Sequence, residues 1–343
     1  MGLAKARMLL DIAVEAEKLL NGAGGVVMSK AISSADLAVI GLGPVGLSVC
    51  RGLSRDGHSV RGVQRSAPSV LPEGVAFVSA DATDPAALAA AIAEVHTVAL
   101  AIGLPYNGAL WMKRWPQIMS AVLAACESVG ARLVYADSLY LYGPQDQPLT
   151  ENLPAVDYGM KPAARSAATR LWQRAQSEGR VRTAAVRAPD FFGPGVSTSI
   201  LGDVTFGRLA KGKPAQVLIS ADYPHDVVHV DDFARAIVTL MSAPDDAFGQ
   251  AWHVPTPPTK TLREMITLAA DALGVAPKVT VIPLWQARLL GAFSPEVREV
   301  TEMHFLTDRP YIVDSQKFAA RFWSNVSALE VSIATTARTY ARP

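Results

Sequence analysis

From Asp36 onward the chain alternates short apolar runs with longer stretches of helical periodicity. Leu37–Ile40, Ser59–Gln64, Thr97–Ala101, Arg132–Tyr135 and Thr183–Arg187 read as strands, and a further strand leads into Phe77–Ser79. Residues 45–56, 84–93, 115–129 and 162–177 read as the intervening helices. Strands regularly separated by helices predict βαβ units and a parallel sheet. Short connections and the right-handed crossover then give an α/β, Rossmann-type doubly wound fold. Beyond residue 190 the alternation breaks, Gly and Pro become frequent and the apolar segments shorten. A smaller C-terminal lobe over the carboxyl edge of the sheet follows from that change.

The first 27 residues stand apart. In residues 2–20, Leu9, Ile12, Ala16 and Leu19 follow the spacing of one helical face. The run Asn21-Gly22-Ala23-Gly24-Gly25 then reads as a helix stop and joint. Asp11, Glu15, Glu17 and Lys18 interrupt any apolar region of the kind a signal peptide carries. The segment is expected to be an appended amphipathic helix and linker, with docking and oligomerisation both open as its purpose.

Composition narrows the function classes. Net charge is +1, so nothing electrostatic points to nucleic acid or an anionic membrane. No apolar run approaches the roughly 18 residues of a membrane helix. The two cysteines, Cys50 and Cys126, sit among small apolar residues and suit buried thiols of a reducing cytoplasm. No cysteine or histidine spacing suggests a metal site.

The strongest chemical signal is Gly41-Leu42-Gly43-Pro44-Val45-Gly46, a GxGxxG directly after a strand and opening a helix. Gly41 permits the tight turn, Gly43 a close approach to a pyrophosphate, and Gly46 close helix–strand packing. The helix N-terminus offers N–H groups and a positive dipole end. The end of the second strand decides between cofactors. An NAD site usually places a carboxylate there. Gln64 holds that place and Arg65 follows it. A guanidinium pairs with a 2′-phosphate that a carboxylate would repel. NADP is therefore expected, with NAD the less favoured cofactor and Arg61 a weaker partner for the phosphate. Asp81 is placed to accept from an adenine amino group, although the turn it heads also contains helix-capping residues.

These residues resemble the extended short-chain dehydrogenase/reductases, the NAD(P)-dependent epimerase/dehydratase-like branch. The segments SADATDP, RLVYADSLYLYGPQDQPLTENLP, VRAPDFFGPG, PHDVVHVDDFARAIV, TKTLREMITLAADALG and RPYIVDSQKF carry the likeness in order and spacing. The resemblance implies a dinucleotide domain over 36–190, to which 226–242 return, and a substrate lobe over 191–225 and 243–343. It implies cofactor contacts at Asp81, Ala82, Gly103, Lys161 and Pro189, and substrate contacts at Asp190, Phe192 and His225. It also implies a homodimer built on helices 115–129 and 162–177.

The family's chemistry uses a tyrosine that moves a proton, a lysine four residues later and a serine that holds the same substrate oxygen. Ser138 falls on the serine position and Lys161 on the lysine position. The expected tyrosine position holds Asp157, with Tyr158 beside it, so the usual spacing is broken. Pro162 suits a helix first turn and pushes Lys161 from helical geometry, which would leave Tyr158 and Lys161 in an extended approach. Tyr158 is the first candidate for the proton, Tyr140 the second and Asp157 the third. His225 stands where nucleotide-sugar enzymes of the family place an arginine, and Asp190 replaces a common asparagine. Both departures weaken the case for a nucleoside-diphosphate sugar. His229 reads as a packing or capping residue. The expected function is an NADP(H)-dependent oxidoreductase acting on a carbonyl/alcohol pair of a small organic molecule. The alternatives are an epimerase or dehydratase that recycles its bound cofactor, and a cofactor sensor without chemistry.

Overall fold

The computed structural model describes residues 36–341. The expected helix and linker over 1–27 lie outside them. The described residues form one compact unit. The first half of that unit runs β1 (Leu37–Ile40), α1 (Pro44–Arg55), β2 (Val60–Gln64), β3 (Val75–Ser79), α2 (Pro85–Ala91), β4 (Thr97–Leu100), α3 (Gly108–Val129), β5 (Arg132–Ser138), α4 (Lys161–Ser177) and β6 (Thr183–Ala188). It continues through β7 (Asp190–Phe192), α5 (Phe206–Leu209), β8 (Ala215–Leu218), β9 (Pro224–His225), β10 (Val227–His229), α6 (Val230–Met241) and β11 (Ala251–His253). The last part holds β12 (Lys260–Thr261), α7 (Leu262–Leu273), β13 (Val279–Ile282), α8 (Leu284–Gly291), α9 (Pro295–Glu302), α10 (Gln316–Arg321) and α11 (Leu329–Tyr340).

The predicted parallel sheet is present, with seven strands in the order β11-β6-β5-β4-β1-β2-β3. Each pairing in it is parallel. The chain winds outward from β1 to β3, then returns to lay β4 on the other side of β1. That reversal creates a crevice above the carboxyl ends of β1 and β4, where doubly wound sheets bind ligands. Helices cover both faces. Cys50 and Leu53 of α1 and Phe233 and Ile237 of α6 share the core on one side. On the other, Leu88, Trp115, Met119, Ala168 and Trp172 from α2, α3 and α4 close it.

Several boundaries differ from the pattern. α3 starts at Gly108, well before 115, because the Asn107 side chain accepts from the Leu110 amide and caps it. Pro116 thus lies inside the helix, and Trp111 and Trp115 anchor the preceding turn in the core. β5 continues to Ser138 rather than stopping at Tyr135, paired with β6 as far as Ser138↔Ala188. α4 takes Lys161 as its first residue, so Pro162 sits in the first turn without expelling the lysine.

Two further cores lie beyond the sheet. Phe192, Phe206, Met265, Ile266 and Ile333 form one around α7 and α11. Leu139, Tyr142, Met303, Phe305 and Tyr311 form another, which brings the segment after β5 against residues 303–313. Among the described residues no helix is long and apolar enough to cross a membrane.

Candidate active site

The turn after β1 has the geometry its glycines predict. Gly41 adopts a φ of +95°, and a Cβ there would lie 2.8 Å from the Ala101 carbonyl. At Gly46 a Cβ would lie 1.8 Å from the Gly41 oxygen, so helix and turn meet only because the side chain is missing. Gly43 differs: nothing lies within 4 Å of an added Cβ, and the same holds for Gly103 after β4. Pro44 opens α1 and Val45 is buried beneath the turn. No side chain caps this helix and no acidic residue stands in its first turn. The first-turn amides are therefore left to a ligand or to solvent. An open glycine beside an uncapped helix end is a cradle that a pyrophosphate fits.

At the end of β2, Gln64 is built into this turn. Its Oε1 accepts from the Leu42 amide at 2.8 Å and its Nε2 donates to the Ser66 carbonyl at 2.9 Å. Arg65 is exposed beside it, while its carbonyl accepts from Ser79. Arg61 is a different matter. It is buried, and its Nη1 donates to the carbonyls of Ala91 and Ala93 at 2.9 Å, closing the end of α2. That position removes it as a phosphate partner. Asp81 accepts from the amide and hydroxyl of Thr83, both at 2.8 Å, and these bonds hold its carboxyl below the usual range, helped by Arg65 and Arg114. Ala82 is half-buried in that turn, and Asp84 caps α2. Pro189 is buried between β6 and β7.

Four of the expected residues converge beyond the carboxyl ends of β5 and β6. Ser138 ends β5, and its Oγ is buried with no hydrogen-bond partner. Tyr140 follows in a single 3₁₀ turn, Leu139–Tyr142, rather than in an extended segment. Its hydroxyl donates to Asp190 Oδ1 at 3.3 Å, and His225 Nε2 donates to Asp190 Oδ2 at 3.0 Å. His225 is 2% exposed and stacks against Tyr311 with ring centroids 5.0 Å apart. Tyr106 lies beside Tyr140, and Trp111 stacks on Tyr140 at 6.4 Å. Burial, and then the nearby charge of Asp190, push the Tyr140 and Tyr311 phenols well above 10. The Tyr311 hydroxyl, like Ser138 Oγ, is buried without a partner.

Tyr158 is placed elsewhere, and Lys161 borders the site, its Nζ 4.6 Å over the Tyr106 ring, but is bound by other groups. The Tyr158 hydroxyl meets His304 Nε2 at 3.4 Å, and its ring packs edge-on against Phe305. It lines an open cleft of about 470 Å³ with Arg288, Arg298 and Glu302. Lys161 is fully buried and its Nζ is shared by Glu302 Oε2, at 2.7 Å, the Glu299 carboxylate and the Glu299 carbonyl at 3.0 Å. All three of its donors are thus engaged, and none is left for the expected cofactor contact. Asp157, the third candidate, is exposed and pairs with Arg170. Phe192 is buried against Phe206 and His229, inside the lobe core. His229 caps α6 by accepting from the Asp231 amide.

A second buried network supports the floor. Arg187 on β6 donates to Asp137 Oδ2 at 3.1 Å and to the Tyr142 hydroxyl at 2.7 Å. The Tyr142 hydroxyl donates in turn to His253 Nε2, whose Nδ1 donates to the Asp314 carbonyl. Arg165 donates to Tyr135 and lies 3.5 Å from Asp137. The spacing pattern gave no signal for Tyr106, Tyr311, Glu299 or Glu302, because their partners are far away in sequence.

The family model described as the NAD-dependent epimerase/dehydratase family matches residues 37–254. The chain belongs to that family. It is a family of enzymes, and the match spans the sheet and the segment that carries Ser138 and Tyr140. No curated protein sequence matches the chain. Solved structures resemble it over most of its length. The UDP-glucose 4-epimerase of Thermus thermophilus, in complex with NAD, is 19% identical, covers 89% of this chain and 98% of its own, and superposes with a TM-score of 0.71. The dTDP-glucose 4,6-dehydratase DesIV of Streptomyces venezuelae, with NAD and TYD bound, is 17% identical, covers 89% and 96%, and gives 0.73. At these identities the likeness is one of fold.

Proposed function

We propose that the chain is a nicotinamide-dinucleotide-dependent oxidoreductase that acts on the carbonyl/alcohol pair of a small organic molecule, with NADP favoured over NAD. The observation that carries this reading is the open, uncapped Gly41–Gly46 turn at the point where the sheet order reverses. Gly43 and the first turn of α1, at Pro44, Val45 and Gly46, would hold the dinucleotide's pyrophosphate. Gln64 supplies no negative charge at the end of β2, and Arg65 stands exposed to pair with a 2′-phosphate. A bound nicotinamide supplies hydride exchange with a substrate carbon.

The chain's own part is to hold the substrate oxygen and move its proton. Ser138 Oγ and the Tyr140 hydroxyl are the groups for this, since the serine oxygen is buried with nothing to bond. The buried cations around the site are held by protein groups: Arg187 and Arg165 by Asp137, and Lys161 by Glu299 and Glu302. With Asp190 also present, the reacting part of the substrate is uncharged.

Family membership supports a second reading, in which the cofactor stays bound and returns its hydride within one turnover. Retention of dinucleotide through purification marks that case, and free exchange marks the first. Two copies pair through α3 and α4, which light scattering measures as a dimer mass.

The test is NADPH-dependent reduction of a panel of uncharged ketones and aldehydes. Turnover that falls about a hundredfold in Tyr140→Phe, and little in Tyr158→Phe, supports the assignment. Absence of turnover across the panel, or dependence on Tyr158 alone, contradicts it.

A further inference from the structure

Lys161 lies over the Tyr106 ring with its donors taken by Glu299 and Glu302, yet a hydroxyl that moves a proton needs somewhere for that proton to go. Tyr140 is poorly suited to hold a negative charge itself. It is enclosed by Trp111, Tyr106 and Tyr311, and a carboxylate is its hydrogen-bond acceptor. The acceptor is fixed from behind by the buried imidazole of His225. His225 in turn stacks on Tyr311. Asp226 follows in the chain, but its carboxylate is taken up by the Thr259 hydroxyl at 2.6 Å and the Val313 amide at 2.8 Å. Asp190 is thus the one carboxylate on which the Tyr140 hydroxyl converges.

We propose that Asp190 is the proton terminus of the site, acting through the Tyr140 hydroxyl and held in place by His225. This rests on the functional reading above and deepens it. In the oxidising direction the substrate O–H bond breaks and its proton forms a new O–H bond on the Tyr140 oxygen. In the same movement the Tyr140 proton leaves for Asp190 Oδ1. Tyr140 stays neutral throughout and Asp190 ends as the carboxylic acid. The two electrons of the substrate C–H bond depart as hydride to an oxidised nicotinamide dinucleotide. Reduction runs the same transfers backwards. Tyr140 is the group that touches substrate, and Asp190 and His225 are positioning residues that act through it.

The relay makes a demand that does not depend on substrate or cofactor. Trifluorotyrosine placed at position 140 is more acidic than tyrosine, and fluorine NMR follows its ionisation. Its ionisation reports the charge of its partner. In Asp190→Asn it ionises about tenfold more readily, a shift of about one pH unit, because the adjacent carboxylate is gone. Unchanged ionisation in Asp190→Asn overturns the relay. With a carbonyl compound turned over by the wild type, Asp190→Asn and Tyr140→Phe each lower kcat about a hundredfold, and the double variant falls no further. His225→Leu lowers kcat, and His225→Gln, which keeps a donor, restores most of it. Retention of wild-type kcat in Asp190→Asn also overturns the relay. Dinucleotide affinity stays constant across these variants, so loss of cofactor binding by the parent protein counts against the functional reading and not against the Tyr140–Asp190 coupling.

Discussion

Lys161 and Glu299 form a buried ion pair that ties three helices together. Lys161 opens α4, Glu299 lies in α9, and Glu299 Oε2 also accepts from the Gly108 amide at the start of α3 at 2.7 Å. Removing Glu299 takes a charge-assisted bond from Lys161 and the acceptor from the Gly108 amide, and leaves Glu302 as the remaining carboxylate on the lysine. Glu299→Ala is expected to lower unfolding stability by about 1.5–3 kcal/mol, and Glu299→Gln by less, because the amide still accepts. Urea denaturation measures both. A loss below about 1 kcal/mol in Glu299→Ala would show the pair to be solvated like a surface bridge.

His253 sets an acid limit on stability. Burial foremost, and then Arg187, lower its pKa from 6.5 to about 3. The unfolded chain therefore takes up a proton that the folded chain refuses. Its contribution is complete above pH 6.5 and is lost as pH falls from there toward about 3. The slope is at most about 1.4 kcal/mol per pH unit. Denaturation at pH 7 and at pH 5 is expected to show this loss, and His253→Gln to reduce it. Equal slopes in the two proteins would remove His253 as the cause.

The glycines of the first turn separate folding from binding. Gly46→Ala drives a Cβ into the Gly41 oxygen and is expected to lower the melting temperature by several degrees. Gly43→Ala meets open space, so the fold is expected to keep its melting temperature while dinucleotide affinity falls. A Gly43→Ala protein that binds as tightly as the parent would show that no ligand approaches that backbone.

Both cysteines are expected to be inert. Burial pushes the Cys50 and Cys126 thiols up to about 12. Native protein at pH 8 should react with a thiol reagent only as fast as it unfolds, and rapid labelling of either thiol would contradict their burial.

Much of the sheet was legible because each strand and helix carries its own period. Leu37–Ile40 matches the expected strand to the residue, and α1 lies within one residue of its expected bounds. The glycine turn was legible for the same reason, since its spacing is local. The proton site was legible only as single residues. Ser138, Tyr140, Asp190 and His225 each carry a local mark, but the bonds among them span 50 and 35 positions, which no period records. Lys161 departs from its expected role for a related cause. Its partners stand 138 and 141 residues away in α9, so the resemblance implies a cofactor contact where the fold supplies two carboxylates. Pro162 marks the helix start one residue late, because the lysine before it fits the first position of the helix as well.

The most direct measurement is calorimetric titration of the purified protein with NADP⁺ and NAD⁺. Saturable binding of NADP⁺ about tenfold tighter than NAD⁺, with the difference erased in Arg65→Ala, is the expected result. No heat of binding with either dinucleotide would contradict the account.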